Sequence, residues 1–271
     1  MTTSGLAFLA WNPIAVTMGS SVRDEATHGQ VFLDWEPGLI RNCSFAQATG
    51  WIGVTGEDRT NGGQTLTIFD PARRKTIHRY PFPVVLNHAL DRSGATTAIV
   101  LPSEHRMVAD LDIVTTKNGD VERIVTGRLH HSSTVSWFPD LDRLAYQRDD
   151  GEIETVNRST REIASIGPGR SPSVSPDGQR IAAERDDGIV LVDVASLEAT
   201  RVATGNISPS AGLSWSPDGR FVTFGEVRGV TGKEVRFYLL DLETGRRSEL
   251  PLSFATGLSL INELPAEAAG Q

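Results

Sequence analysis

Hydrophobic and polar residues alternate along most of this chain with the period of two that is typical of β-strands. In the segment 171–205, Arg180-Ile-Ala-Ala-Glu-Arg185 has the pattern of a half-buried strand and Ile189-Val-Leu-Val-Asp193 that of a more deeply buried one. Gly, Pro and Asp separate such strands at short intervals. Helical spacing of apolar residues occurs only at residues 263–269, where we expect a short terminal turn. The pattern therefore predicts an all-β protein built from meandering strands.

A four-residue phrase repeats within this pattern. Ser175-Pro-Asp-Gly178 recurs as Ser216-Pro-Asp-Gly219, and a degraded copy stands at Phe138-Pro-Asp-Leu141. A second marker is the third strand of each repeat, which tends to end in Asp or Asn. It can be counted six times along the chain, ending at Asp34, Asp70, Asp112, Asn157, Asp193 and Asp241. A repeat with a period of about 40 residues predicts an array of similar small sheets.

The Ser-Pro-Asp-Gly phrase, with an apolar strand and then an Asp-ended strand after it, resembles the PD40 (WD40-like) repeat of TolB-like β-propellers. The resemblance extends from about Leu6 to Leu260 and is most specific between Val135 and Leu250. It implies four-stranded antiparallel blades around a central channel, usually six of them. Six Asp- or Asn-ended strands agree with that number. We therefore expect one six-bladed propeller domain over residues 1–271.

The repeat markers give approximate limits for the blades. They predict blades at 5–42, 43–82, 83–128, 129–168, 169–206 and 207–252, with a closing strand at 253–262. We expect Leu6–Trp11 to be the innermost strand of the first blade. Residues 34–47 leave little room for its outer strand, so the closing strand should complete that blade and close the ring.

Several prominent residues of the repeat have a structural explanation. Proline and aspartate favour tight turns, and glycine accepts the positive φ that follows, so the aspartates of the repeated phrase are expected to stabilise turns. Trp137 and Trp215 stand at equivalent repeat positions. We expect both to pack between neighbouring blades.

Composition narrows the classes of function. The chain has 271 residues, of which 39% are apolar and 22% charged, enough to bury a core. A net charge of −8 argues against binding nucleic acid, which requires clustered cations. Cys43 is the single cysteine, so no internal disulfide can form. With no secretory signal and no apolar run of membrane-spanning length, we expect a cytoplasmic, monomeric protein that does not bind membranes.

The resemblance implies that ligands bind at the mouth of the channel, at the start of each innermost strand. Histidines at these positions can transfer protons, and no acidic residue accompanies them at matching positions, so we predict neither a metal site nor a cofactor. Because neighbouring residues of a strand face opposite ways, only one of two adjacent histidines should face the channel. The candidate catalytic residues are His88, His130 and His131, and the candidate ligand-binding residues are Arg41, Asn42, Asn87, Ser133, Arg170, Ser171 and Ser210.

Two functions are compatible with these residues. The chain has no nucleophile elbow, no phosphate-binding loop and no zinc-type cysteine pair. The first hypothesis is therefore a propeller that binds a protein, peptide or small ligand at the channel mouth. The alternative is a small-molecule enzyme, a hydrolase, lyase or cyclase, with a histidine-lined active site in the channel, and the sequence leaves catalysis open.

Overall fold

The computed structural model describes residues 6–12, 15–22, 25–31, 40–58, 62–105, 107–185, 188–208, 212–228, 234–250 and 257–261. The secondary-structure elements within these ranges are all β-strands. They contain no helix long and apolar enough to cross a membrane. The turn predicted at 263–269 lies outside the described residues.

The strands are numbered in chain order. The first three are β1 (Leu6–Asn12), β2 (Ala15–Val22) and β3 (Glu25–Val31). Blade A contains β4 (Ile40–Ala46), β5 (Trp51–Glu57), β6 (Gln64–Asp70) and β7 (Lys75–Phe82). Blade B contains β8 (Asn87–Leu90), β9 (Thr96–Pro102), β10 (Val108–Thr115) and β11 (Val121–His130).

The remaining strands follow the same plan. Blade C contains β12 (Val135–Trp137), β13 (Arg143–Gln147), β14 (Glu152–Asn157) and β15 (Ile163–Pro168). Blade D contains β16 (Arg170–Val174), β17 (Arg180–Arg185), β18 (Gly188–Asp193) and β19 (Ala199–Thr204). Blade E contains β20 (Ser214–Trp215), β21 (Phe221–Arg228), β22 (Glu234–Asp241) and β23 (Arg247–Glu249), and the last strand is β24 (Gly257–Ile261).

Blades A to E are four-stranded antiparallel sheets whose strands pair in chain order. The first strands of consecutive blades contact one another, from β4 to β8, β12, β16 and β20. The first strand of each blade is therefore the innermost, and the fourth lies outside. The chain is a β-propeller with small antiparallel blades, which confirms the predicted fold class at this level.

The two ends of the described chain form one more four-stranded sheet, in the order β24-β1-β2-β3. Strand β24 runs antiparallel to β1, with Leu9 opposite Ser259. It also contacts β20 and β4, the inner strands of blades E and A. The expectation that Leu6–Trp11 is innermost was thus wrong, because β24 takes that place and β3 already supplies the outer strand.

Hydrogen bonds join the inner strands of neighbouring blades, and we call these contacts the inter-blade seams. The Trp137 indole donates to the Ala89 carbonyl at 2.9 Å, and the Trp215 indole donates to the Ser173 carbonyl at the same distance. In a second kind of seam contact, Ser136 Oγ accepts the Val174 N–H at 3.0 Å. The prediction that both tryptophans pack between blades is confirmed.

The repeated phrase forms the turn that leads into the second strand. Asp177 Oδ1 accepts the N–H of Gln179 at 3.0 Å, and Gly178 has a φ of 71°. Gly219 repeats this conformation, also with a φ of 71°. In the degraded copy Leu141 occupies the glycine position with a φ of 61°. Turn geometry therefore persists where the sequence marker has been lost, at the cost of backbone strain.

The strain at Leu141 predicts a stabilising substitution. Leu141→Gly should raise the free energy of unfolding by about 1 kcal/mol, because glycine adopts this φ without steric cost. Gly219→Ala should lower it by a similar amount, since a Cβ there would have room, with Pro176 at 3.8 Å, and only φ would be strained. Urea denaturation of the two variants measures both effects. Equal stability of Leu141→Gly and the parent would contradict the prediction.

The pairing of β24 with β1 predicts that the C-terminal segment stabilises the fold. Deletion of residues 251–271 removes β24 and exposes the β1 edge, so the melting temperature should fall by about 5 °C or more. Deletion of residues 262–271 alone leaves β24 in place and serves as the matched control. Thermal unfolding followed by circular dichroism measures both, and identical melting temperatures for the two deletions would refute the role of β24.

Candidate ligand-binding site

One end of the propeller carries most of the predicted site residues. Antiparallel pairing places the start of the first strand, the end of the second and the end of the fourth at the same end of every blade. We call this end the upper face. The chain passes from the fourth strand of one blade to the first strand of the next at this end. The upper face is therefore the end at which the sequence predicts the channel mouth.

Asn42 and Asn87 join blades A and B. The Asn42 amide donates to Asn87 Oδ1 and, at 3.3 Å, to the carbonyl of His88. Asn87 Oδ1 also accepts the N–H of His88 at 2.7 Å. The Asn42 amide nitrogen and the Asn87 amide oxygen are thus engaged in a seam. The neighbouring Arg41 is half exposed and pairs with Glu57, so it remains accessible from the upper face.

His88 lies in the same seam and is only 3% exposed. Its ring packs against Gly53, where a Cβ would lie 3.1 Å from Nε2, and its Nδ1 is 3.3 Å from the Thr55 hydroxyl. Among the described residues Nε2 has no hydrogen-bond partner. Burial lowers the pKa of His88 to about 4, against a smaller opposing effect of the Gly53 carbonyl. His88 is therefore a neutral packing residue of the seam and does not line the mouth as predicted.

Two of the three predicted serines, Ser133 and Ser171, are also buried. Ser133 Oγ accepts the Gln147 N–H at 2.9 Å and donates to the Thr134 carbonyl at 3.0 Å. Ser171 is buried with a φ of 51°, and Ser210 lies outside the described residues. Burial likewise raises the pKa of the Cys43 thiol. The Ser133 hydroxyl is thus bonded within its own blade, and Ser171 is buried.

His130 and His131 do not open an inner strand as expected. His130 ends β11, the outer strand of blade B, because that strand extends past the predicted blade limit at 128. Its Nδ1 accepts the Ser132 N–H at 3.2 Å, and its ring centroid lies 4.2 Å from that of His131. His131 follows the end of the strand, so alternation does not separate the pair and the two rings lie together.

Three charged or titratable side chains, those of His131, Asp149 and Arg170, act on His130. Partial burial lowers its pKa, and His131 and Arg170 act in the same direction, while Asp149 opposes them. Arg170 is the first residue of β16 in blade D, and it is close enough to act on His130 of blade B, with blade C between them in the chain. Among the described contacts none joins His88 to either His130 or His131. The three candidate catalytic histidines therefore form two separate groups.

Three glutamates that the sequence reading missed are buried near the upper face, and each holds a half-exposed arginine. Their side chains are 3 to 9% exposed, whereas the arginine side chains are 42 to 49% exposed. The pairs are Arg128 with Glu154, Arg170 with Glu184, and Arg228 with Glu226. An acidic residue at an interior position of an otherwise apolar strand was the signal that could have revealed them.

Glu154 and Glu184 differ in how fully they are bonded. Glu154 accepts hydrogen bonds from Arg128 at 2.9 Å, Tyr146 at 2.7 Å and Arg148 at 3.1 Å. Although burial opposes its ionisation, these bonds lower the pKa of Glu154 to about 2. Burial raises the pKa of Glu184, with Arg170 only partly offsetting it, and its Oε2 has no hydrogen-bond partner among the described residues.

No group of three or more His, Cys, Asp or Glu side chains in the described part of the chain is placed to hold a metal ion. No protein-family model matches the chain, and a search of curated proteins found no match either. The geometry of the upper face therefore has to carry the functional argument.

Burial of neutral His88 predicts a pH-dependent stability. The unfolded chain takes up a proton near the ordinary pKa of 6.5, and the native state only near about 4. The contribution of His88 is thus fully present above 6.5 and is lost as pH falls between these values, by about 3 kcal/mol in total. Urea denaturation across this range should show a shallower pH dependence for His88→Gln than for the parent.

His105→Gln is the matched control, because His105 is exposed. It should leave the pH dependence unchanged. If His88→Gln does not fold, the His88 ring resonances of the parent give the same information by NMR. Titration of His88 near pH 6.5 would contradict its assignment as a buried neutral group.

Proposed function

We propose that this protein is a TolB-like, six-bladed propeller that binds a protein or peptide on its upper face, around the channel mouth. In this proposal the sheet of β24, β1, β2 and β3 is the sixth blade. The contacts of β24 with β20 and β4 support that position, since they place it between blades E and A. A cytoplasmic location and a monomeric state stay predictions of the sequence.

The observation that carries the proposal is the set of half-exposed arginines held by buried glutamates. A free arginine side chain loses considerable conformational entropy when it binds. Arg128, Arg170 and Arg228 are already held by carboxylates beneath them, so part of that loss is met on folding. Arginine is also enriched in the centres of protein interfaces. An array of such side chains on three blades suits an extended ligand.

The enzyme alternative has weaker support. It depends on His88 acting together with His130 or His131, and His88 is buried in the seam between blades A and B. A general acid or base must come within hydrogen-bond reach of its substrate. The buried His88 ring packs against Gly53 and Thr55, which favours a packing role.

A peptide array tests the proposal. The labelled protein is incubated with immobilised peptides of random sequence, and the peptides that retain it are probed again with the variant Arg128→Gln/Arg170→Gln/Arg228→Gln. Loss of anchored guanidinium contacts should reduce the bound signal by about tenfold or more. The double variant Arg170→Gln/Glu184→Gln removes one pair without leaving a buried unpaired carboxylate.

The control variant Arg143→Gln/Arg220→Gln removes two arginines of similar exposure at the opposite end of the blades. It should retain the peptides. Equal retention by the upper-face variant, or loss with the control alone, would overturn the proposal. Thermal melts of all variants establish that each one is folded.

A further inference from the structure

The turn between β13 and β14, residues Arg148–Gly151, links three blades on the upper face. Leu129, next to His130 in blade B, forms a β-bridge with Arg148. On the other side Gly169, next to Arg170 in blade D, donates its N–H to the Gly151 carbonyl at 2.9 Å. The backbone alone therefore places the histidine pair and Arg170 on the two flanks of this turn.

Four basic side chains surround the turn, and a fifth, that of Arg148, belongs to it. Arg128 and Arg148 both bond Oε1 of Glu154, at 2.5 and 3.1 Å, so their guanidinium groups are adjacent. His130 and His131 lie together, with Asp149 and Arg170 close enough to act on His130. We call the set the basic cluster: Arg128, His130, His131, Arg148 and Arg170.

Two of the four acidic groups near the basic cluster lie below it, and the other two are exposed in the turn. Glu154 and Glu184 are 4 and 3% exposed, so solvent meets the arginines before it meets these carboxylates. Among exposed acids, Asp150 is held by Arg148 and Asp149 lies in the same turn. In a chain with a net charge of −8, this is a local concentration of cationic donors on the upper face.

The available donors suit a planar anion. Among the described contacts Arg170 commits only one terminal nitrogen, to Glu184 at 3.1 Å, which leaves part of its guanidinium for a ligand. His130 uses Nδ1 to accept the Ser132 N–H, so Nε2 is its second polar atom. Guanidinium forks bind carboxylates with two parallel hydrogen bonds.

We propose that the basic cluster binds the side-chain carboxylate of an Asp or Glu residue in the peptide ligand, and binds it more tightly as pH falls. The inference rests on the proposed function and names the chemistry of its ligand. His130 supplies the pH dependence, because protonation adds a positive charge where the carboxylate binds. The charged groups that act on His130 are His131 and Arg170 on the repulsive side and Asp149 on the attractive side.

The test uses a rhodamine-labelled peptide of alternating Glu and Gly, with a Gln-Gly peptide of the same length as the control ligand, and both peptides have an amidated C-terminus. Fluorescence anisotropy gives the Kd of both at about pH 7.5 and about pH 5.5, a range in which Glu stays largely ionised. We expect the Glu-Gly peptide to bind about tenfold more tightly than the Gln-Gly peptide at the lower pH, and about threefold more tightly there than at the higher pH.

Four variants locate the binding. His130→Gln should reduce the pH dependence, with His131 of the cluster still in place, whereas His78→Gln, in the outer strand β7 of blade A, should retain it. Arg170→Gln/Glu184→Gln should weaken binding of the Glu-Gly peptide at both pH values by about fivefold. Arg143→Gln, at the end of the blades opposite the upper face, should not change this affinity.

Sodium acetate, sodium sulfate and sodium chloride at equal ionic strength separate competition for a specific site from general screening of charge. Stronger competition by acetate than by sulfate supports a carboxylate site, and stronger competition by sulfate overturns it in favour of a tetrahedral anion. Equal affinity for the Glu-Gly and Gln-Gly peptides, or an unchanged pH dependence in His130→Gln, also overturns the inference. If array peptides bind through the upper face while the Glu-Gly peptide does not, this inference fails and the proposed function stands.

Discussion

The hydrogen bonds across the inter-blade seams are the constraint on which the rest of the structure depends. A four-stranded blade buries little surface by itself, so each blade needs its neighbours. The Trp137 and Trp215 indoles donate to carbonyls of the preceding inner strand, and Ser44 and Ser136 accept N–H groups of the following one. These bonds fix the spacing of the inner strands, and with it the width of the channel mouth.

In the seam between blades A and B, residues of types that are common in active sites have a structural role. Asn42, Asn87 and His88 have the residue types of an active site, but they bond to each other and to the adjoining backbone. The close approach of His88 is permitted because residue 53 is glycine. Polar side chains are used here to join sheets through their hydrogen bonds, although His88 Nε2 has no partner among the described residues.

On the upper face, ion pairs are arranged so that the carboxylate is buried and the guanidinium group is partly exposed to solvent. Carboxylates of Glu154, Glu184 and Glu226 lie within the strand layer, and the arginines that neutralise them extend toward solvent. The pairing keeps the glutamates from being isolated charges. It also leaves guanidinium groups ordered and partly exposed, which is the basis of both functional proposals.

The sequence alone determined the strands, the turns and the blade as the repeating unit, because these depend on local alternation and on turn chemistry at Asp177, Gly178 and their equivalents. It failed at the N-terminal sheet, where the repeated phrase is absent and β1 could not be told from an inner strand. Tertiary structure decided the candidate site: that His88 is enclosed, that His130 ends an outer strand, and that Arg170 approaches it across blade C. Such placements depend on contacts between residues about 40 positions apart, and a pattern with a period of two carries no information about them.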